Sequence, residues 1–325
     1  MQIGAMLTNI LTLLAGLLLV VFGADWLVDG ASAIARKLKI SEFVIGLTIV
    51  GFGTSCPELV VSVTGAIQGI SDISIGNVIG SNVFNTLLIL GLTALIMPIS
   101  ITKTNKQQDI PMTLLITFLL VFCGMSFSLF GLGKGDNLSR IEGIVFIVLF
   151  AAYLFYCFKT DSGSAEEETA GAGDTSVSKA VLLTLAGLAA LILGGRWFVN
   201  SAVELAHSLG VSDKFIAITL LAGGTSLPEL AACVVAAAKK KGQLALGNIL
   251  GSNIFNILLI LGISATVHPI SFSGIDFVDI IILLLSIVLV WMSSYTFKKD
   301  KIDRYEGVIF LLVYIAYFIW LFIKH

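Results

Sequence analysis

The sequence predicts an all-α integral membrane protein of ten transmembrane helices, arranged as two inverted repeats of five. The composition is the first reason: 57% of the 325 residues are hydrophobic and only 12% are charged, whereas soluble domains are about 25% charged. The second reason is a series of ten apolar segments near the length of about 20 residues that a spanning helix needs. The third is an internal duplication with an odd number of segments in each half.

The ten apolar segments are predicted to be helices, because backbone groups cannot stay unpaired in lipid and no alternating strand pattern is present. The first segment lacks a basic N-terminal region and a small-residue cleavage site, so we interpret it as a retained span. In chain order, the segments are 5–33, 42–68, 73–97, 110–131, 141–158, 180–206, 213–238, 244–267, 276–296 and 304–323.

Lysine and arginine are distributed unevenly between the connections. Fourteen lie in the connections after segments 1, 3, 5, 7 and 9, and Arg196 lies within segment 6. Because cytoplasmic loops carry the excess of basic residues, both termini are predicted to face away from the cytoplasm. The four basic residues on the opposite side are Lys134, Arg140, Lys214 and Lys324.

The second half of the chain repeats the first, so that Glu58 aligns with Glu229. Without gaps, residues 41–100 and 212–271 are identical at about 27 of 60 positions. Because each half holds five spans, the second copy begins on the other side of the membrane, which makes the repeat inverted. This is the layout of many secondary transporters, whose sites lie near the midplane where discontinuous helices meet.

The repeat also predicts the division of the chain. We expect a first five-helix repeat over 1–158 and a second, inverted repeat over 180–325. The connection 159–179 is rich in Gly, Ser and acidic residues, which is typical of a flexible linker, and it is predicted to be cytoplasmic. A regulatory calcium site at 166–168 is the alternative interpretation of its glutamates.

The motif Gly-Thr-Ser-x-Pro-Glu occurs inside segments 2 and 7 and places a glutamate in the membrane each time. Proline lacks an N–H and clashes with the carbonyl four residues back, so Pro57 and Pro228 are predicted to break their helices. Each break exposes hydroxyl, carboxylate and backbone oxygens, and hard cations such as Ca²⁺ take about six to eight oxygen ligands. The side chains concerned are Thr54, Ser55 and Glu58, and their counterparts Thr225, Ser226 and Glu229.

A second duplicated motif, GNVIGSNVFN in segment 3 and GNILGSNIFN in segment 8, adds further oxygen ligands. Residues four apart share a helix face, so Ser81 with Asn85, and Ser252 with Asn256, offer a hydroxyl and an amide carbonyl to the midplane. The GxxxG glycines of both motifs predict close helix packing. An isolated asparagine in a span is more often interhelical glue, whereas an intramembrane glutamate is a functional-site hypothesis by default.

The remaining polar residues within or near the spans are predicted to have structural roles. Asp25 and Arg196 are repeat-equivalent, and we expect them to pair with each other or with polar groups near the surface. The three histidines lie at span ends, where none is placed as a proton relay. The four cysteines lie in apolar runs and are expected to be free thiols.

The two glutamates suggest a coupling mechanism. Their two negative charges neutralise one Ca²⁺, and two or three Na⁺ could share the same oxygens. An empty, charged site is costly to move through a bilayer. We therefore predict that the opposite fluxes of two cations are coupled through this site.

Together, GTSCPE with GNVIGSNVFN and GTSLPE with GNILGSNIFN resemble the two alpha-repeats of the sodium/calcium exchanger branch of the cation/Ca²⁺ exchanger superfamily, in its prokaryotic form without a cytosolic regulatory domain. The resemblance covers essentially all ten spans. It implies eight tightly packed helices with long helices 1 and 6 that slide across them, and broken helices 2, 3, 7 and 8 around the site. It also implies Ca²⁺ extrusion driven by Na⁺ across a prokaryotic plasma (inner) membrane.

The ligand roles follow from the resemblance. Glu58 and Glu229 would bind the central Ca²⁺, with the backbone carbonyls of Thr54 and Thr225. Members often have an aspartate at one of the positions matched by Asn85 and Asn256, which line the middle of the site; here both are asparagine, which leaves proton coupling and K⁺ dependence open. Flanking Na⁺ sites would use Ser55, Ser226, Ser81, Ser252 and the carbonyls of Gly51 and Ala222.

Three alternatives remain at the level of sequence. A Ca²⁺/H⁺ or other cation antiporter differs only in the coupling ion. A cation channel is disfavoured by the inverted repeat of broken helices. An intramembrane enzyme is disfavoured because no midplane His or Lys accompanies the Thr-Ser pairs. The expected partners are Ca²⁺, Na⁺ and the lipid bilayer, with no cofactor, no nucleic acid and no obligatory protein partner.

Overall fold

The computed structural model describes residues 2–131, 135–161, 176–209 and 222–324, and most of them are helical. The helices are α1 (Gln2–Leu38), α2 (Glu42–Thr54), α3 (Cys56–Ile67), α4 (Ser71–Ile96), α5 (Asn105–Gly124), α6 (Ser126–Phe130), α7 (Arg140–Thr160), α8 (Val177–Ser208), α9 (Ala222–Gly224), α10 (Leu227–Ala238), α11 (Gly242–Val267), α12 (Phe277–Ser293) and α13 (Arg304–Lys324). Short strands lie in the connections: β1 (Ile99–Ser100), β2 (Asn137–Leu138), β3 (Ile270–Ser271) and β4 (Lys301–Ile302).

The helices correspond in order to the predicted spans. Within the described ranges, seven are long and apolar enough to cross a membrane, and the bent pair α2–α3 makes an eighth. Predicted segment 9 is α12, which has 17 residues, and segment 7 is represented by α9 and α10. Outside the described ranges lie Lys134, Lys214, residues 213–221 of segment 7 and residues 162–175 of the predicted linker, including 166–168.

The repeat-equivalent helices α4 and α11 form the centre of the bundle. In the most apolar stretch of each helix, 94% of α11 and 67% of α4 is buried, against 22% of α7 and α13. On α11, Gly247 and Gly251 let the backbone of α2 approach so closely that a side chain there would collide with it. The predicted GxxxG packing therefore occurs in the second repeat. In the first repeat, the segment that would pack on the equivalent glycines lies outside the described ranges.

The long helices α1 and α8 run antiparallel and pack through small residues. Gly16, Gly23 and Gly30 follow one another at seven-residue intervals on α1, and each faces the backbone of α8. A methyl group at Gly23 would lie 2.8 Å from the backbone nitrogen of Leu191. Only 17% of the apolar stretch of α1 is buried. The two helices therefore form one closely packed unit at the periphery of the bundle.

The helices predicted to be broken are interrupted in two ways. The first repeat bends by 50° between α2 and α3, at Ser55, because Pro57 in the first turn of α3 has no N–H to continue the ladder. The equivalent residues Thr225 and Ser226 form a turn between α9 and α10. Helices α4 and α11 instead widen into π-helical turns at Phe84–Ile89 and Phe255–Ile260, a form of interruption that is frequent at functional sites.

The strands show which connections share an end of the bundle. β1 pairs antiparallel with β4, so the connections after predicted spans 3 and 9 meet. β2 pairs with β3, so the connections after spans 4 and 8 meet. Lys241 and Glu42 also form an ion pair between the connections after spans 7 and 1. Odd-numbered connections therefore gather at one end, as an alternating passage through a membrane requires.

Candidate ion-binding site

Two glutamates lie side by side at the centre of the bundle. Glu58 lies in the first turn of α3 and Glu229 in the first turn of α10, and both side chains are completely buried. The N-terminus of a helix carries a partial positive charge, which stabilises a carboxylate there. Even so, a charged carboxyl in the middle of a membrane costs about 2.5–3.5 kcal/mol on insertion scales. Such a cost requires compensation by bound cations or hydrogen bonds.

The compensation that the protein supplies crosses between the repeats. The Ser55 hydroxyl donates to Oε1 of Glu229 at 2.8 Å, and the Ser226 hydroxyl donates to Oε1 of Glu58 at 2.8 Å. In both glutamates the second oxygen, Oε2, is buried without a hydrogen-bond partner among the described residues. Each carboxylate therefore keeps one oxygen for a ligand.

The two threonines of the motif differ from each other. The Thr54 hydroxyl lies 3.0 Å from the carbonyl oxygen of Val50 and 3.2 Å from Oδ1 of Asn248, so internal acceptors engage it. The Thr225 hydroxyl is buried and has no partner within the described ranges. Of the two, therefore, the hydroxyl of Thr54 is the one held by more than one internal acceptor.

The predicted serines of α4 and α11 also reach this region. Ser252 donates to the carbonyl oxygen of Gly51 at 3.3 Å, which brings together two residues from the predicted sodium ligands. Ser81 is buried, and its hydroxyl has no partner in the described part of the chain. The repeat-equivalent of Gly51 is Ala222, which begins α9.

The two asparagines offer their carbonyl oxygens. The amide nitrogen of Asn256 donates to Oδ1 of Asn82 at 3.0 Å, and that of Asn85 donates to Oδ1 of Asn253 at 3.4 Å. Oδ1 of both Asn85 and Asn256 is buried and unpartnered among the described residues. With the two glutamate oxygens, this makes four unsatisfied acceptors contributed equally by the two repeats.

Two further asparagines that were not predicted from the sequence support these groups. Asn77 donates to the backbone oxygen of Glu58 at 3.2 Å and to the Ser62 hydroxyl at 2.9 Å. Its repeat-equivalent, Asn248, donates to the sulfur of Cys233 at 3.2 Å. The signal available was the duplicated Gly-Asn dipeptide at the start of the second motif, which is identical in the two repeats.

Of the two pairings expected for Asp25, with Arg196 or with another polar group near the surface, the structure shows the second. Asp25 pairs with Lys239 at 2.6 Å, and Asp29, one turn further along α1, pairs with the same amine at 2.7 Å. Burial opposes protonation, but the hydrogen bonds and charges of the two aspartates outweigh it and raise the pKa of Lys239. Asp25 therefore pairs with Lys239 and not with its repeat-equivalent Arg196, which is exposed on α8.

A cavity of about 340 Å³ adjoins the site. Its walls include both motif prolines and Thr225, and on the other side Arg196 and Asn200 of α8. Those residues of α8 belong to the half that ends at Ser208, opposite the predicted cytoplasmic linker. The cavity therefore approaches the glutamates from the side predicted to face away from the cytoplasm.

The donor set favours hard cations. In the described ranges, no group of three or more His, Cys, Asp and Glu side chains is arranged to hold a metal ion, so the two glutamates are complemented by neutral oxygens. Carboxylate, hydroxyl and carbonyl oxygens are the ligands of Ca²⁺. Broken helices from two repeats around such a buried oxygen cluster define a membrane carrier for cations.

Comparison with known proteins gives the particular family. The sodium/calcium exchanger protein family model matches residues 8–159 and 179–323. The chain therefore belongs to this family, and its function is the exchange of Na⁺ and Ca²⁺ across a membrane by an antiport mechanism. The resemblance noted in the sequence, the fold class and the exchange activity are thus confirmed, and the alternative coupling ions are not favoured.

Individual relatives agree with this assignment. The chain is 34% identical to the sodium/calcium exchanger MaX1 of Methanosarcina acetivorans, covering 97% of this chain and 98% of that one. It is 33% identical to the inner membrane protein YrbG of Escherichia coli, covering 95% and 96%. Among solved structures, the sodium-calcium exchanger NCX_Mj soaked with Na⁺ and Ca²⁺ superposes with a TM-score of 0.82 at 34% identity, covering 95% and 97%.

Proposed function

We propose that Ca²⁺ binds between Glu58 and Glu229, and that Na⁺ empties the same oxygen cluster during exchange. The observation that carries the proposal is the pair of carboxylates that are completely buried, each hydrogen-bonded through one oxygen and unsatisfied at the other. Two carboxylates at −2 match the charge of one Ca²⁺. An apolar side chain at either position would avoid the cost of burying a carboxylate, so a bound cation that neutralises the charge accounts for the two glutamates.

The neutral ligands complete the proposed sites. The unpartnered oxygens of Asn85 and Asn256 support a place in the middle of the cluster. The hydrogen bond between Ser252 and the carbonyl of Gly51 supports a flanking Na⁺ site in which both oxygens turn toward the ion. The full proposed set is Glu58, Glu229, Ser55, Ser226, Ser81, Ser252, Asn85 and Asn256 by side chain, and Thr54, Thr225, Gly51 and Ala222 by backbone carbonyl.

The same proposal includes an orientation. Both termini face away from the cytoplasm, the repeats 1–158 and 180–325 flank a cytoplasmic linker at 159–179, and Na⁺ that enters down its gradient drives the extrusion of Ca²⁺. The bias of basic residues supports this orientation, and the bacterial relative named as an inner membrane protein supports the plasma membrane of a prokaryote. The protein acts without an enzymatic step and without an obligatory protein partner.

Flux of radioactive Ca²⁺ in proteoliposomes tests the proposal. We expect saturable Ca²⁺ uptake that depends on Na⁺ inside the vesicle and that neither a pH gradient nor K⁺ replaces. Glu58→Gln and Glu229→Gln keep the shape of each side chain but remove its charge, and each should abolish exchange. Uptake that survives either substitution would refute the paired-carboxylate site, and uptake driven by a pH gradient would identify a proton-coupled antiporter instead.

A further inference from the structure

An asparagine is an ambiguous cation ligand. Its amide presents an acceptor oxygen on one side and an NH₂ donor on the other, and only the oxygen attracts a cation. Rotation about the last torsion exchanges the two groups, so an unsupported amide beside a cation can present the wrong face. An aspartate does not have this problem, because both of its carboxylate oxygens are acceptors. A site with asparagine at both middle positions therefore requires something that fixes the two amides.

Asn82 and Asn253 occupy the positions that can do this. Oδ1 of Asn82 accepts from the amide nitrogen of Asn256 at 3.0 Å, and Oδ1 of Asn253 accepts from that of Asn85 at 3.4 Å. Each acceptor belongs to the repeat opposite its donor. All four side chains are at most 3% exposed, so water does not compete for these bonds. With their nitrogens held, Asn85 and Asn256 have only their oxygens free, and these are unpartnered among the described residues.

The two supporting asparagines are themselves held in one orientation. Asn82 donates its amide nitrogen to the backbone oxygen of Asn253 at 3.2 Å. Asn253 donates its amide nitrogen to the Thr86 hydroxyl at 2.7 Å. A nitrogen fixed on one side of an amide leaves the oxygen facing the other, which is the side where Asn256 or Asn85 lies. The orientation is therefore passed along a chain of buried hydrogen bonds.

We propose that Asn82 and Asn253 are positioning residues that orient the amides of Asn256 and Asn85 so that both present carbonyl oxygens to the transported cation. This rests on the proposed function in one respect, the location of Asn85 and Asn256 among the ligands. Asn82 and Asn253 do not touch the ion; they act through the residue whose nitrogen they accept. Glue between α4 and α11 is the competing role for such asparagines, and it makes no demand on which way the amide points.

The first test compares two substitutions at one position. Asn82→Leu is similar in size but removes the acceptor, whereas Asn82→Asp with a protonated carboxyl keeps both an acceptor oxygen facing Asn256 and a donor facing the backbone oxygen of Asn253. We expect Asn82→Leu to raise the KM for Ca²⁺ roughly tenfold, the effect of one buried hydrogen bond, with a smaller change in maximal rate per folded protein. Asn82→Asp should restore most of the affinity. If the two variants have the same KM, the proposal is wrong.

The second test changes the ligand instead of its support. In an Asn256→Asp background the ligand offers an oxygen in either orientation, so adding Asn82→Leu should no longer raise the KM. A structural role through the bond from Asn82 to the backbone oxygen of Asn253, which this background keeps, predicts that Asn82→Leu raises the KM and lowers thermal stability in both backgrounds, and that result would overturn the proposal. Binding is measured in parallel as the Ca²⁺ concentration that protects the detergent-solubilised protein from heat, so a background that transports slowly still gives an answer.

The pair formed by Asn253 and Asn85 allows both tests to be repeated independently, with Asn253→Leu in the wild type and in an Asn85→Asp background.

A separate result would show that the proposed ion site itself is wrong. If Glu58→Gln and Asn256→Leu leave Ca²⁺ binding intact, the proposed function is wrong. If they weaken binding while Asn82→Leu and Asn253→Leu do not, the site stands and only the positioning role is lost.

Discussion

Each buried glutamate depends on a serine from the other half of the chain. The hydroxyl groups of Ser55 and Ser226 donate across the repeat interface at equal distances of 2.8 Å. A hydrogen bond to a charged group contributes about 1.5–3 kcal/mol when both partners are buried. Neither repeat alone can therefore hold its own carboxylate in a low-dielectric environment, and the site exists only where the two repeats meet.

Removing one of these hydroxyls should weaken Ca²⁺ binding. Ser226→Ala leaves Oε1 of Glu58 without its donor, and Ser55→Ala does the same to Glu229. We expect the Ca²⁺ KM to rise by roughly tenfold or more in each variant. The two variants serve as controls for each other, because their geometry is repeat-equivalent. A large effect from one and none from the other would contradict the symmetric site.

The pair Asn248 and Cys233 allows a second prediction about single residues. Asn248 donates to the completely buried sulfur of Cys233, and the equivalent acceptor in the first repeat is the hydroxyl of Ser62. Cys233→Ser keeps an acceptor and should change stability by less than about 1 kcal/mol. Cys233→Val leaves a buried amide unpaired and should cost about 1–3 kcal/mol. Thermal unfolding in detergent measures both, and equal melting temperatures would refute the role of the sulfur.

The sequence allowed the ligands to be predicted but not their supports. Glu58 and Glu229 were recognisable because a carboxylate in an apolar run needs a reason, and the proline beside each one predicts the local break. The bonds from Asn256 to Asn82 and from Asn85 to Asn253 join residues 174 and 168 apart. A repeat offset relates equivalent positions and not neighbours, so the pattern alone could not say which asparagine contacts which.

At the scale of the helix, the close packing of α1 against α8 depends on glycines, which have no side chain, at the contact. A methyl group at Gly23 would lie 2.8 Å from the nitrogen of Leu191 and 2.9 Å from the oxygen of Gly187, both of which belong to helix backbone and cannot yield alone. The helices must separate to admit it, and the contacts at Gly16 and Gly30 then loosen as well. Backbone approach of this kind replaces the hydrophobic effect, which does not drive association within lipid.

Gly23→Ala should therefore destabilise the protein by about 1–3 kcal/mol, the usual cost of overpacking. Val21→Leu provides the matched control, since Val21 is 49% exposed on the outer face of the same helix and has room for one more carbon. The measurement is the melting temperature of both variants in the same detergent. Equal melting temperatures would show that the glycine spacing does not hold α1 against α8.

The boundaries of helices were harder to predict than their existence. Segment 4 was predicted to begin at residue 110, but α5 begins at Asn105 with a polar π-helical turn, Asn105–Asp109. Reciprocal hydrogen bonds between Thr102 and Asn105, at 3.0 and 3.1 Å, cap that turn. A search for apolar residues does not detect a polar turn, so the predicted segment began five residues too late, and its other end at 131 ran past the end of α5 at Gly124 into the separate helix α6.

At the scale of the whole molecule, the two repeats interlock instead of lying side by side. α11 from the second repeat packs on the backbone of α2 from the first, and the strands β1 and β2 of the first repeat pair with β4 and β3 of the second. A site at the centre of such an arrangement can be reached from either end. The cavity beside Arg196 gives this structure its approach from the Ser208 end of α8, as alternating access requires of one of its states.

The distribution of basic residues predicts which end of the bundle faces the cytoplasm. Asn137 in β2 and Lys301 in β4 are both exposed and lie at opposite ends, because five predicted spans separate the connection that holds β2 from the connection that holds β4. Because the basic connections are predicted to lie in the cytoplasm, a membrane-impermeant maleimide should label Asn137→Cys in intact spheroplasts. Lys301→Cys should react only after permeabilisation. The unmodified chain is the control, since its cysteines are buried or partly buried and should give little background. Labelling in the reverse pattern would place both termini in the cytoplasm, and equal labelling of both variants in intact spheroplasts would contradict the separation of the two strand pairs across the membrane.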